Sequence, residues 1–227
     1  MSIRIPLIVS LVLLTLMTAG SLWAFATFPN QIHIAVHWGI NGMPDSYAGR
    51  TKALIILPAI GAVMTLVLAL LPKLEPRRRN LIASRKFFAV SWIANMSVLA
   101  LAHGLILLSA AGHPVPVPRV LLGASALALA VIGNFMGKTR STFMIGAIRL
   151  PWTLTSEYAW EKSNRLAGRF FVATGIVTLA FLTVASVREA GNVLLVGVFT
   201  AIIAGAVSSY VYWLHDPNRE TGDRIPE

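Results

Sequence analysis

His33 and His37 stand four residues apart, with Asp45 eight further on, and imidazoles with a carboxylate are a donor set for a divalent metal. On a helix the two histidines would share a face. Their neighbours favour another conformation. Ile32, Ile34 and Val36 alternate with His33, Ala35 and His37, which is the period of an extended segment. Gly39, Gly42, Pro44 and Asp45 then supply turn chemistry. Without a third ligand at a fixed spacing, His33 and His37 are weak metal candidates, and the stretch reads as a compact folded cap. His37, Trp38, Gly42, Pro44 and Asp45 are its candidates for meeting a ligand, and no metal or other cofactor is expected.

Three more polar side chains stand in oily surroundings: Asn95 and His103 in one apolar run and Asn134 near the end of the next. Polar groups in hydrocarbon face a bundle interior or a wet cavity. They line a ligand or proton path, or they bond one helix to another at about 0.6 kcal/mol apiece; the second reading is preferred. Ala201 and Gly205 form a small-xxx-small pair expected to pack inside a bundle rather than to make a dimer face.

The stretch AIRLPWTLTSEYAW, residues 147–160, is polar and aromatic where most of the chain is not. Pro151 cannot continue a helix from its N-terminal side, so a new element is expected to start there. Thr155 or Ser156 can cap it, and Glu157 in its first turn suits the positive end of the dipole. The pattern stays helical to Arg169, with Glu157, Glu161 and Arg165 on one face. Glu161 and Arg165 attract, whereas Glu157 and Glu161 repel unless a cation answers them. Arg149 is the expected partner, through forked guanidinium–carboxylate pairing. Trp152, Tyr158 and Trp160 suit the headgroup level, as on an amphipathic helix lying in the interface. With no cysteine, no H-E-x-x-H and no Ser/His/Asp arrangement, the chain carries no catalytic constellation and is read as a non-enzyme.

The elements that position these residues follow from composition. Of the 227 residues 56% are hydrophobic and 12% charged, and the mean hydropathy is +0.72; the natural solvent for such a chain is a bilayer core. Six runs lack Asp, Glu, Lys and Arg: residues 5–28, 53–71, 87–111, 120–136, 170–187 and 192–214. Each approaches the span of about 20 residues a membrane helix needs, and none alternates as the strands of a membrane barrel would. The expected fold is an all-α integral membrane protein, a bundle of about six transmembrane helices with an outer loop cap and an inner-face interfacial helix. The first run follows a short basic start, and Ala24, Phe25 and Ala26 resemble a signal-peptidase site. Its 24 apolar residues exceed a signal core, so a retained helix is expected. With both termini cytoplasmic, fifteen of the 19 Lys and Arg lie inside and four outside, the asymmetry that sets topology. The basic run EPRRRN is therefore topogenic, and direct nucleic-acid binding is not expected. The organisation read from this is 1–72, two helices with a cap loop at 29–52; 87–214, four helices with an inner loop at 137–169; and a cytoplasmic tail at 215–227.

Residues 133–171, GNFMGKTRSTFMIGAIRLPWTLTSEYAWEKSNRLAGRFF, resemble the signature of the SdpI family, multi-pass bacterial membrane proteins named for an immunity protein against a secreted peptide toxin. That pattern has G-N near a helix end, then G-I-R-T-P-W-T-L, a Ser-Glu pair, a Trp and T-H-R. The cap resembles the domain often found before it, through Pro29, His37, Trp38, Gly42, Pro44 and Asp45. The match holds at Asn134, Arg149, Pro151, Trp152, Thr153, Glu157, Trp160 and Arg165. It departs at an inserted Ala147, at Leu150 for Thr, and at Ser163 and Asn164 for the Thr and His of T-H-R. The missing histidine argues against proton transfer and for a folded electrostatic and aromatic motif. The resemblance implies protection of a bacterial inner membrane against a membrane-active peptide toxin, with signalling through a sequestered transcriptional repressor as in the founding system. A small transporter or exporter of a peptide or solute, or an envelope sensor, is the alternative.

Overall fold

A computed structural model describes residues 2–39, 41–146 and 148–219; the inserted Ala147, Arg224 and the tail beyond Arg219 lie outside them. Six helices are long and apolar enough to cross a membrane: α1 (Arg4–Thr27), α2 (Arg50–Leu74), α4 (Arg85–Ala110), α5 (Val117–Met136), α7 (Glu157–Val184) and α8 (Val187–Leu214). Two short helices, α3 (Arg78–Ala83) and α6 (Pro151–Leu154), and a hairpin of β1 (His33–Trp38) and β2 (Pro44–Gly49) complete the described residues. This is an all-α multi-pass membrane protein. Leu11, Val63, Phe199 and Ile203 among many others stay exposed, an outer surface that only lipid would match.

The alternation at residues 32–37 becomes β1, and Gly42 takes the left-handed turn with φ of 77°. The strands pair antiparallel, with a bulge between Ala35 and His37. Ile34 and Ala48 point down onto Ala24, Phe28, Leu54, Ile106 and Leu107, closing one end of α1, α2 and α4. Arg50, where β2 runs into α2, donates to the carbonyls of Phe25 and Phe28 at 3.1 and 2.7 Å, capping the negative end of α1. His37 Nδ1 lies 2.5 Å from Asp45 Oδ1 and both side chains are exposed. His33 faces Gly49 across the hairpin, and no group of three potential ligands forms among the described residues.

Polar side chains tie α1 to α4. Trp92 Nε1 donates to Ser10 Oγ at 2.7 Å. His103 is buried, its Nε2 3.0 Å from Ser21 Oγ and 3.2 Å from the Met17 carbonyl, while Ser21 donates to the Leu54 carbonyl. Asn95 is exposed and donates to Ser91 O of its own helix.

Small residues let α5, α7 and α8 approach closely. A Cβ on Gly168 would lie 2.5 Å from the Gly133 carbonyl, and one on Gly175 would lie 2.4 Å from that of Ala126. Gly205 faces Ala167 within the bundle and Ala201 is fully buried, the packing role expected of that pair. Residues 157–184 form one unbroken helix. The separate interfacial segment expected from Glu157 to Arg169 is therefore the first turns of a spanning helix, and the interfacial element shrinks to the single turn of α6. Gly168 does not interrupt the helix because its missing side chain is where α5 sits.

Candidate functional site

At the end of the bundle opposite the hairpin, residues 137–150 turn back and put Ile145 and Ile148 into the core with Phe88, Trp92, Met136 and Ala167. An irregular segment among helix ends must satisfy its backbone, and Glu75, Asn164 and Thr153 are among the side chains that do this. Glu75, 1% exposed, accepts from the N–H of Phe143 at 3.1 Å, of Met144 at 2.8 Å and of Arg77 at 3.0 Å. Asn164 clamps the backbone of one residue at both its polar groups, accepting from Ile148 N–H at 3.1 Å and donating to Ile148 O at 3.3 Å. Thr153 accepts from Leu150 N–H at 2.9 Å. Gly146 has φ of 136°, and a Cβ there would meet the Trp160 ring at 2.5 Å, so only glycine fits.

The predicted residues divide. Ser156 rather than Thr155 is the cap of α7, accepting from Ala159 N–H at 2.9 Å. Arg165 pairs with Glu161 at 2.5 Å, as expected. Arg149 does not answer Glu157: it donates to the Phe143 carbonyl. Glu157 accepts instead from Asn80 Nδ2 at 3.1 Å and from Ser141 N–H at 3.3 Å, so uncharged donors from two other segments take the place given to the arginine. Trp160 does not face lipid. It is fully buried with its N–H on Thr139 Oγ1 at 3.0 Å, in the space that Gly146 leaves open. Trp152, behind Pro151, donates to Ser209 Oγ at 2.8 Å and meets Tyr210 edge-on; exposed Tyr158 meets Tyr212 in the same way. Asn134 is exposed and lines a groove between α5 and α7, beside Lys138 and Arg169. The hairpin residues His37, Trp38, Gly42, Pro44 and Asp45 lie at the opposite end.

The arrangement is a hydrogen-bonded latch drawing on α2, α3, α7 and α8. Arg77 joins it through Ser141 Oγ and through the Phe143 ring, 4.7 Å from its guanidinium carbon. Beside it, Ser156 donates to Asp216 at 2.5 Å. A groove of about 820 Å³ opens there, lined by Arg77, Arg78, Arg79, Glu157 and Asp216. Fourteen of the eighteen described Lys and Arg belong to this end of the bundle.

Residues 138–211 match the SdpI/YfhL protein family, and residues 11–62 match a domain of unknown function, DUF1648. This is an SdpI-like protein with a DUF1648 region ahead of it. No curated protein and no solved structure matches the chain. The SdpI match takes in the latch, α6, α7 and most of α8; the DUF1648 match takes in most of α1, the hairpin and the first half of α2. Where the SdpI pattern has histidine in T-H-R, this chain has Asn164, an uncharged amide gripping backbone.

Sequence reasoning about this SdpI-like chain missed Glu75, Asn80, Thr139 and Ser141. Glu75 had a signal: it is the one acid in a segment that is otherwise basic, LPKLEPRRRN. Trp160→Phe, which keeps the ring and loses the N–H, is expected to cost about 1 kcal/mol. Trp160→Ala is expected to cost about 4 kcal/mol through the cavity it leaves. Thermal unfolding in detergent, followed by near-ultraviolet dichroism, separates the two.

Proposed function

We propose that this SdpI-like protein sits in a bacterial cytoplasmic membrane with both termini inside and protects it against a secreted, membrane-active peptide. The observation that carries this reading is the SdpI/YfhL match over residues 138–211. The crowding of Lys and Arg at the end that bears the latch supports the orientation. The hairpin, with His37, Trp38, Gly42, Pro44 and Asp45, or the bundle beneath it, receives the peptide. The latch around Arg149, Trp152, Glu157 and Trp160 holds or reports the bound state from the inner face. A transcriptional repressor detained at the membrane would meet the arginine-lined groove there. The role is binding rather than catalysis. Transport would need Asn95, His103 and Asn134 along one path. They sit in three separate places, Asn95 beside α2 and α5, His103 inside the α1–α4 seam and Asn134 in the α5–α7 groove, which favours immunity.

The test is survival of a sensitive strain challenged with secreted membrane-active peptides. Wild type is expected to raise the lethal concentration of one of them. Arg149→Ala and Trp152→Ala, present in the membrane at wild-type level, are expected to return it to that of cells without the protein. Full protection by both variants would remove the latch from the mechanism.

A further inference from the structure

Beside the latch, α5 and α7 line a groove of about 570 Å³. Its polar end carries Lys138, Arg165, Arg169 and Asn134, and its floor is glycine, so the cations stand around bare backbone. Arg165 is already matched by Glu161. Arg169 and Asn134 make no side-chain hydrogen bond or ion pair among the described residues, and the Lys138 ammonium lies 5.7 Å above the Phe135 ring. The groove therefore presents two unmatched cations and an amide in its lining. Val172, Ala173 and Ile176 continue it. They follow Arg169 at i+3, i+4 and i+7, hence on the same face of α7, and Ile176 is 58% exposed. A charged mouth that becomes an apolar trough along one helix has the polarity profile of a phospholipid. A soluble anion would leave the trough unused. Basic pockets between membrane helices are sites for anionic headgroups.

We propose that this groove binds an anionic phospholipid, its phosphodiester between Lys138 and Arg169 with Asn134 donating, and one acyl chain along Val172, Ala173 and Ile176. The site is independent of peptide immunity, since its readout is lipid retention alone. The full chain, purified in detergent, is loaded with phosphatidylglycerol or phosphatidylcholine and the retained lipid is counted by native mass spectrometry. Wild type is expected to keep phosphatidylglycerol in preference to phosphatidylcholine. The double variant Lys138→Gln/Arg169→Gln is expected to bind it roughly tenfold more weakly. Arg78→Gln/Arg79→Gln, which removes two charges from the same end outside the groove, is expected to bind as wild type. Lys138→Arg/Arg169→Lys should restore retention if charge, not fold, is responsible. Equal retention of the two lipids, an equal loss in the Arg78/Arg79 control, or displacement by millimolar inorganic phosphate would each overturn the assignment, the last by making it a site for free phosphate.

Discussion

Gly168→Ala, a change of one methyl group, is expected to destabilise the protein by about 2 kcal/mol, the scale of overpacking in a rigid interface. The new Cβ would stand 2.5 Å from the Gly133 carbonyl and 3.1 Å from Met136 Cβ. Neither is the far end of a flexible side chain, so relief requires α5 and α7 to separate along their length. Separation in turn loosens the contacts at Gly175, which depend on the same approach. Gly123→Ala on α5 is the control, because there a Cβ would meet Leu182 Cδ1 at 3.5 Å, ordinary contact. Thermal melting of the two variants in the same detergent decides the matter: a Gly168→Ala transition no lower than that of Gly123→Ala would mean that the helices do not cross at their glycines.

Glu75→Ala is expected to cost about 3 kcal/mol, because three backbone N–H groups lose a charged acceptor together. Two of those groups belong to the latch, so the loss is concentrated there. Arg140 and Arg149 flank the freed peptide units and are exposed, which makes limited trypsin digestion a local readout. Cleavage after either arginine is expected to become many times faster while the helices hold. Glu75→Gln should fall between, since one side of its amide is a donor that faces N–H groups needing an acceptor. Unchanged cleavage in Glu75→Ala would show that the latch is held from α3, α7 and α8 without Glu75.

Much of this architecture is legible along the chain. The six spans follow from runs without charge, and the first strand of the hairpin and its turn from three alternating apolar residues and a glycine. The α7 cap and the Glu161–Arg165 pair need only the spacing of one helix. What local pattern could not supply is the partner of a polar group brought in from elsewhere. Glu157 looked unanswered because only its own segment was in view; Asn80 and Ser141, from other parts of the chain, satisfy it, and Arg149 is left to a carbonyl. Gly133 and Gly168 each look like a flexible point in their own helix, and only the crossing makes them a contact. Trp160 read as an interfacial aromatic because aromatic residues favour that level. Its burial depends on Gly146 yielding space and on Thr139 accepting its N–H, and neither is encoded in the helix that carries it.

Ile148 bears on when the protein can be finished. Its side chain reaches into α8, where a Cβ on Gly205 would stand 2.7 Å from it, and the cap residue Ser156 is tied to Asp216 beyond the end of that helix. A chain emerging from the ribosome N-terminus first thus carries every residue of the SdpI signature well before it owns the surface those residues rest on. During that interval Glu75 and Asn164 can hold the latch, but its apolar tip has nowhere to settle until the last helix has entered the membrane. The closed latch is then a certificate of completed biogenesis: a product stopped partway through α8 would possess the signature and still be unable to shut it.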